Sequence, residues 1–178
     1  MKFFELNLER ILLIRQAVIS DAQEILKFQK ELDQQTDLML LYPEERQDCC
    51  LDIENKISQL NRKHGLWLLA EDQKGTIIGN LTVDRSIFKK IEHLGYVVVG
   101  VLKEARHRGI GDQLFNSMDQ WALNNHIHRL ELTVMQNNLI AQSLYKKHGF
   151  VVEGLRQDSI FQKQNYVSEF YMAKIFNN

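Results

Sequence analysis

The stretch from His93 to Ala122 constrains this chain more than any other. "HLGYVVVGVL", His93 to Leu102, is dense in valine and reads as a strand, and "RHRGIG", Arg106 to Gly111, follows with glycines at 109 and 111. From there Ile110, Leu114, Phe115, Met118, Trp121 and Ala122 mark one helical face, and Asp112, Gln113, Asn116, Asp119 and Gln120 mark the other. A strand that passes through a glycine turn into a helix aims several backbone N–H groups, and the positive end of the helix dipole, at one point in space. Phosphate suits such a point. Gly109 and Gly111 let the backbone approach an anion, Arg106 and Arg108 add charge, and Lys103 lies nearby. The competing reading is a plain turn with solvated arginines, and the six residues alone do not choose between the two. There is no third glycine for G-x-G-x-x-G and no G-K-[ST], so the dinucleotide and P-loop fingerprints are both missing.

The rest of the chain supplies further elements. "ILLIR", Ile11 to Arg15, predicts a strand, and Ser20 with Gln23 three residues later predicts a capping box for a helix running to about Leu32. Pro43 before Glu44 and Glu45 suits the first turn of a second helix, whose face is Cys50, Ile53, Ile57 and Leu60 and whose end is His64-Gly65. "LWLLAE" and "TIIGNLTV", joined by "DQKG", read as paired strands. "LELTV" is a strand by its alternation, Asn138 to Lys147 a helix closed by Gly149, and "FVVEGL" and "SEFYMAKIF" two closing strands joined by "QKQN".

No repeat, low-complexity tract or linker divides the 178 residues, which predicts one domain over 1–178. Twenty-two basic against twenty-three acidic side chains leave a net charge of −1, so the chain lacks the electrostatic footprint of a nucleic-acid or anionic-membrane binder and any anion site has to be local. The cysteines, Cys49 and Cys50, are adjacent and suggest no disulfide framework. The N-terminal stretch meets a charge every few residues and reads as neither a secretory nor a spanning segment, so a cytoplasmic location is the default expectation.

"NLIAQSLYKKHGF", Asn138 to Phe150, adds the deciding context: an asparagine opens the helix, Ala141, Leu144 and Tyr145 share a face, and a glycine-aromatic pair closes it. Together with "VGVLKEARHRGIG" it resembles the GNAT superfamily of acyl-CoA-dependent N-acetyltransferases. The resemblance extends to "IRQAVISDA", the two helices after it, and the closing "EGLRQDSIFQKQNYVSEFYMAKI", which is most similar to bacterial ribosomal-protein N-terminal and small-amine acetyltransferases. Lys103 departs from it, standing where relatives often carry proline.

The resemblance implies an α/β (α+β) fold: a mixed, mostly antiparallel sheet of six or seven strands, helices on both faces, and a central strand that bulges and splays from its neighbour. It implies acetyl-CoA as co-substrate, no metal, and an amine acceptor that is a small amine, an amino acid, a polyamine or a protein N-terminus. It also implies that Val99, Gly100 and Val101 hold the pantetheine arm and acetyl carbonyl. The pyrophosphate would rest on the N–H groups of His107, Arg108, Gly109, Ile110, Gly111 and Asp112, with charge from Arg106 and Arg108. Asn138 matches an asparagine that touches the cofactor arm, although as a helix N-cap it would have a second use for the same side chain. Tyr145 matches the general acid, because a phenol can protonate a leaving thiolate; its bland reading is a core aromatic. An amine near neutral pH also needs a base. Glu92 and His93 at the head of the central strand are the first candidates, with Glu131 and Glu169 behind them, and "PEER" could draw a cationic amine. Relatives pair through the closing strands, so a homodimer is possible. A non-catalytic acyl-CoA sensor of the same fold is the alternative, told apart by turnover.

Overall fold

The computed structural model describes residues 13–177. Among these residues seven strands form one sheet in the order β1-β2-β3-β4-β5-β7-β6: β1 (Leu13–Gln16), β2 (Leu66–Glu71), β3 (Ile77–Arg85), β4 (Leu94–Val101), β5 (Arg129–Met135), β6 (Val151–Gln162) and β7 (Asn165–Ile175). Every neighbouring pair is antiparallel except β4 and β5, which are joined through a helix and run parallel. Among the described residues four helices accompany the sheet: α1 (Ala22–Gln35), α2 (Cys50–Arg62), α3 (Ile110–Asn124) and α4 (Leu139–Lys147). The mixed, mostly antiparallel architecture expected from the resemblance is therefore present.

Two glycines show which face each helix covers. A Cβ on Gly79 would meet Ile110 of α3 at 3.2 Å, and one on Gly100 would meet Leu32 of α1 at 2.4 Å. Gly79 pairs with Val101 and Gly100 with Asn80, so the two glycines stand on opposite faces of the sheet, and so do α1 and α3. α2 packs beside α1, and α4 packs on α3, where Phe115 and Tyr145 lie 5.5 Å apart between ring centroids. All six residues of β2 are buried between the two helical layers, together with Ile25 and Ile53 on one side and Leu114 and Phe115 on the other. Each such aliphatic or aromatic side chain contributes about 1.5–3 kcal/mol through burial.

Several boundaries differ from the sequence expectation. Residues Ile11 and Leu12 of the first predicted strand lie outside the described residues. The Ser20/Gln23 capping box is not formed: Asp21 instead accepts from the Val18 N–H at 2.8 Å and from Arg15 at 2.7 Å, and a 3-10 turn at Ile19–Asp21 precedes α1. Arg15 also reaches Glu71 at 2.5 Å, so a tertiary ion cluster outcompetes the local cap. Pro43 does not open α2. It begins a separate 3-10 turn, Pro43–Glu45, because Arg46 is drawn back onto Asp33 of α1, with Gln29 at 3.1 Å and Asp48 at 3.0 Å. α2 starts later, where the Cys49 N–H donates to Asp52 at 2.8 Å. The closing hairpin turns at Lys163-Gln164, whose φ of 49° and 63° suit a two-residue turn with the strand twist.

Candidate active site

β4 and β5 pair only at Leu94↔Arg129, Gly95↔Leu130 and Tyr96↔Glu131; past Tyr96 they part and leave a V-shaped gap in the middle of the sheet. The Tyr96 and Thr133 hydroxyls, 2.9 Å apart, bridge its base. The expected bulge in β4 is absent, since β3 and β4 stay in unbroken register from Gly79↔Val101 to Arg85↔Gly95. Regular alternation then decides which groups face the gap. The Leu102 N–H donates to Ile78 at 3.0 Å, so the backbone groups of even-numbered residues, Gly100 among them, serve β3, and those of Val99 and Val101 point into the V. The Val101 carbonyl is taken by Arg106 Nε at 3.1 Å, and the Val101 N–H is left facing the gap. Gly100, expected to bind cofactor through its backbone, contributes instead by lacking a side chain where Leu32 closes in.

The chain leaves β4 through a 3-10 turn at Lys103–Ala105 and enters the glycine motif at the open end of the V. His107 and Gly109 have φ of 60° and 77°, and Gly109 caps α3. Among the described residues no acceptor, backbone or side chain, takes the N–H groups of His107, Arg108, Gly109, Ile110, Gly111 or Asp112; the first internal bond of α3 is Gln113 N–H to Gly109 O at 3.1 Å. Six successive unpaired N–H groups at a helix N-terminus fit an anion of pyrophosphate size and charge. The two glycines differ in purpose. Gly109 supplies the left-handed conformation, with open space around it, whereas a Cβ on Gly111 would lie 2.8 Å from Leu144 Cδ2, so Gly111 lets α3 and α4 approach. The Asp112 side chain is turned towards α4, where Lys147 at 2.8 Å holds its carboxyl below the usual carboxylate range and His148 at 3.0 Å adds to the effect. Its charge is thereby balanced, and only its N–H faces the cradle.

On α4, Asn138 Oδ1 accepts from the Ala141 N–H at 3.1 Å, which is the N-cap role. The cap uses only the oxygen, and Nδ2 still has hydrogens to donate, so the two uses expected of Asn138 are compatible. Tyr145 is only 7% exposed. Burial, with a smaller push from Tyr96, raises this phenol well above its ordinary range, so it stays protonated.

The candidate bases separate sharply. Glu92 and His93 sit at the closed end of the V, where the His93 carbonyl accepts from His128 and Arg129 at 3.1 and 3.2 Å. At about 3.3 Å per residue His93 lies roughly 20 Å along β4 from Val99, so neither residue reaches chemistry at the open end. Glu131 is bound to Arg129 at 3.0 Å beside the closed end. Glu169 is the one the topology favours: it pairs with Met135 at the open end, is 7% exposed, and accepts from Ser159 at 2.9 Å and Arg156 at 3.1 Å.

Between α1, α2 and the sheet lies a cleft of about 320 Å³ that sequence reasoning missed, lined among others by Trp67, Asn80, Thr82 and Val98. Its trace in the sequence was the run Asn80, Thr82, Asp84, polar at every second position of an otherwise buried strand.

Residues 32–150 match the model of the acetyltransferase (GNAT) family. The chain belongs to that family. Across 121 residues it is 30% identical to the L-amino acid N-acetyltransferase AaaT of Escherichia coli (strain K12), covering 66% of this chain and 73% of that protein. Among solved structures it resembles an acetyltransferase of the GNAT family from Streptococcus pneumoniae, with a TM-score of 0.88 and 28% identity over 93% of this chain and 99% of that one. A GNAT phosphinothricin acetyltransferase from Sinorhizobium meliloti, in complex with acetyl-CoA, shares the fold at a TM-score of 0.83, with 16% identity over 94% of this chain and 90% of its own. This GNAT protein is accordingly an N-acetyltransferase that draws its acyl group from coenzyme A. Among the described residues no helix is long and apolar enough to cross a membrane.

Proposed function

We propose that this GNAT protein, acting as one catalytic domain, moves the acetyl group of acetyl-CoA directly onto the primary amine of a small molecule. The row of unpaired N–H groups from His107 to Asp112, opening onto the V, carries this reading. The co-substrate supplies an activated thioester; everything else falls to the chain. The cradle holds the diphosphate, with Arg108 free to add charge and Arg106 bracing the end of β4 through Val101. Val99 and Asn138 Nδ2 line the path of the pantetheine arm. As the amine nitrogen attacks the thioester carbon, negative charge gathers on the carbonyl oxygen, and the Val101 N–H is placed to receive it. When the C–S bond breaks, Tyr145 gives its proton to the departing sulfur. Its raised pKa would oppose that transfer in water, but burial raises the affinity of the thiolate for a proton as well. The amine attacks as its free base, having first given one proton to solvent, and the second proton that the nitrogen sheds as the amide forms passes towards Glu169 or solvent, from which Tyr145 is reprotonated. The volume of the cleft suits a small acceptor, and the E. coli relative is named for L-amino acids.

Tyr145→Phe tests the assignment. Its turnover is expected to fall by about 10²–10⁴-fold, the usual range for loss of acid catalysis, with acetyl-CoA affinity within twofold of wild type. Turnover at the wild-type rate would remove Tyr145 from the chemistry.

A further inference from the structure

The cleft beside the V has an unusual composition for its depth. Val98, in the central strand of a seven-stranded sheet, is 44% exposed at the cleft because α1 and α2 stand away from it. Trp67, Thr82 and Val98 form one row across β2, β3 and β4, with Asn80 and Gly100 in the next row on the same face. One polar group here is fully covered and has no partner among the described residues, the Trp67 indole N–H; the Asn80 side chain, on a residue 9% exposed, and the half-buried Thr82 stand beside it on the cleft wall. Buried polar groups are normally hydrogen-bonded, so an unpaired one beside an amide and a hydroxyl that open onto a cleft points to a polar ligand.

The character of that ligand follows from the lining. Arg46, Lys56 and Lys63 face the cleft, against the single carboxylate of Asp84, which Lys63 already engages at 3.2 Å. Arg46 is held by Asp33 and Asp48, and Lys56 by Asp48 at 2.8 Å, but both lysines keep further N–H bonds to give. Donors therefore outnumber acceptors. Leu32, Met39, Leu60 and Val98 supply an apolar wall for a carbon skeleton.

We infer that this cleft receives the amine acceptor and that Asn80 and Thr82 hold a carboxylate on it, which makes the substrate an amino-acid-like amine. The inference rests on the acetyltransferase reading above and narrows it: a polyamine would find the carboxylates here, Asp33, Asp48 and Asp84, already engaged by Arg46, Lys56 and Lys63, whereas a carboxylate meets the donors of Asn80 and Thr82, with its amine left free to turn towards the V. Asn80 and Thr82 are specificity-determining residues. Trp67, directly opposite Thr82, is a built-in reporter.

The experiment compares L-amino acids, their carboxamides and putrescine as acceptors, alongside the indole N–H resonance of Trp67 during titration with each. An amino acid is expected to exceed its carboxamide at least tenfold in kcat/KM, with putrescine poorest. Asn80→Asp is expected to raise the amino-acid KM at least tenfold and improve putrescine, leaving the acetyl-CoA KM within twofold. Thr82→Val, a milder change, should raise the amino-acid KM severalfold. Equal use of acid and carboxamide, or amino-acid KM values unmoved in both variants, overturns the inference. If acetyl-CoA binds but no amine is turned over, the catalytic reading falls; a Trp67 shift with the amino acid and none with its carboxamide still supports the carboxylate site, and no shift overturns it.

Discussion

Gly109→Ala separates the two things that the glycine turn does. The native φ of 77° is one that an alanine adopts only at a cost, and no atom lies within 4 Å of where its Cβ would stand, so the penalty is purely conformational. Holding a non-glycine residue in this left-handed region costs about 1–2 kcal/mol. For a chain of this size each kcal/mol corresponds to about 2–4 °C, so Tm without ligand would fall by about 2–8 °C if the turn keeps its shape. The alternative is that φ relaxes to a negative value. Stability then recovers, but the peptide planes around Gly109 rotate and at least one N–H leaves the cradle. A hydrogen bond to a charged group contributes about 1.5–3 kcal/mol, so coenzyme A affinity would drop roughly 10- to 150-fold. Thermal melting of the free protein with calorimetric titration of coenzyme A reads both quantities. Either stability or affinity must fall, and Gly154→Ala, with no positive φ and open space around it, should change neither. A Gly109→Ala protein with wild-type Tm and wild-type affinity would refute the reasoning.

Two further outcomes follow from the helix ends. Asn138→Asp keeps an oxygen for the Ala141 N–H and loses only the Nδ2 donor, so Tm should hold while coenzyme A binds more weakly; Asn138→Ala should also lose about 1 kcal/mol of stability, seen in denaturant melts. The lowered pKa of Asp112 means that its ionised form stabilises the native state above about pH 4, a contribution lost as pH falls through the native pKa. Acid unfolding of wild type below pH 4 should therefore be steeper than that of Asp112→Asn.

What the sequence made legible was local. The valine run, the glycine turn and the face from Ile110 to Ala122 sit within one stretch of chain, and the structure places them as read. What it concealed depends on partners distant in the chain. Asp21 caps with Arg15 and Val18 because Glu71 completes the cluster, and Pro43 is cut off from α2 because Arg46 reaches Asp33. Glu92 and His93 looked adjacent to the chemistry because they are adjacent to the right strand. Only the short parallel pairing of β4 with β5 shows which end of that strand opens, and it opens at the other one. Asn80 and Thr82 read as ordinary strand residues until two helices from elsewhere are seen to leave a cleft beside them.

The central claim is that backbone N–H groups from His107 to Asp112 hold the diphosphate of coenzyme A. Backbone amide spectra of ¹⁵N-labelled protein, titrated with coenzyme A and in parallel with pantetheine, which lacks the diphosphate, test it most directly. The account predicts that the resonances of these six residues move strongly with coenzyme A and hardly at all with pantetheine, while Val99 and Val101 respond to both. Cradle amides that stay in place with coenzyme A, or that move equally with pantetheine, would contradict it.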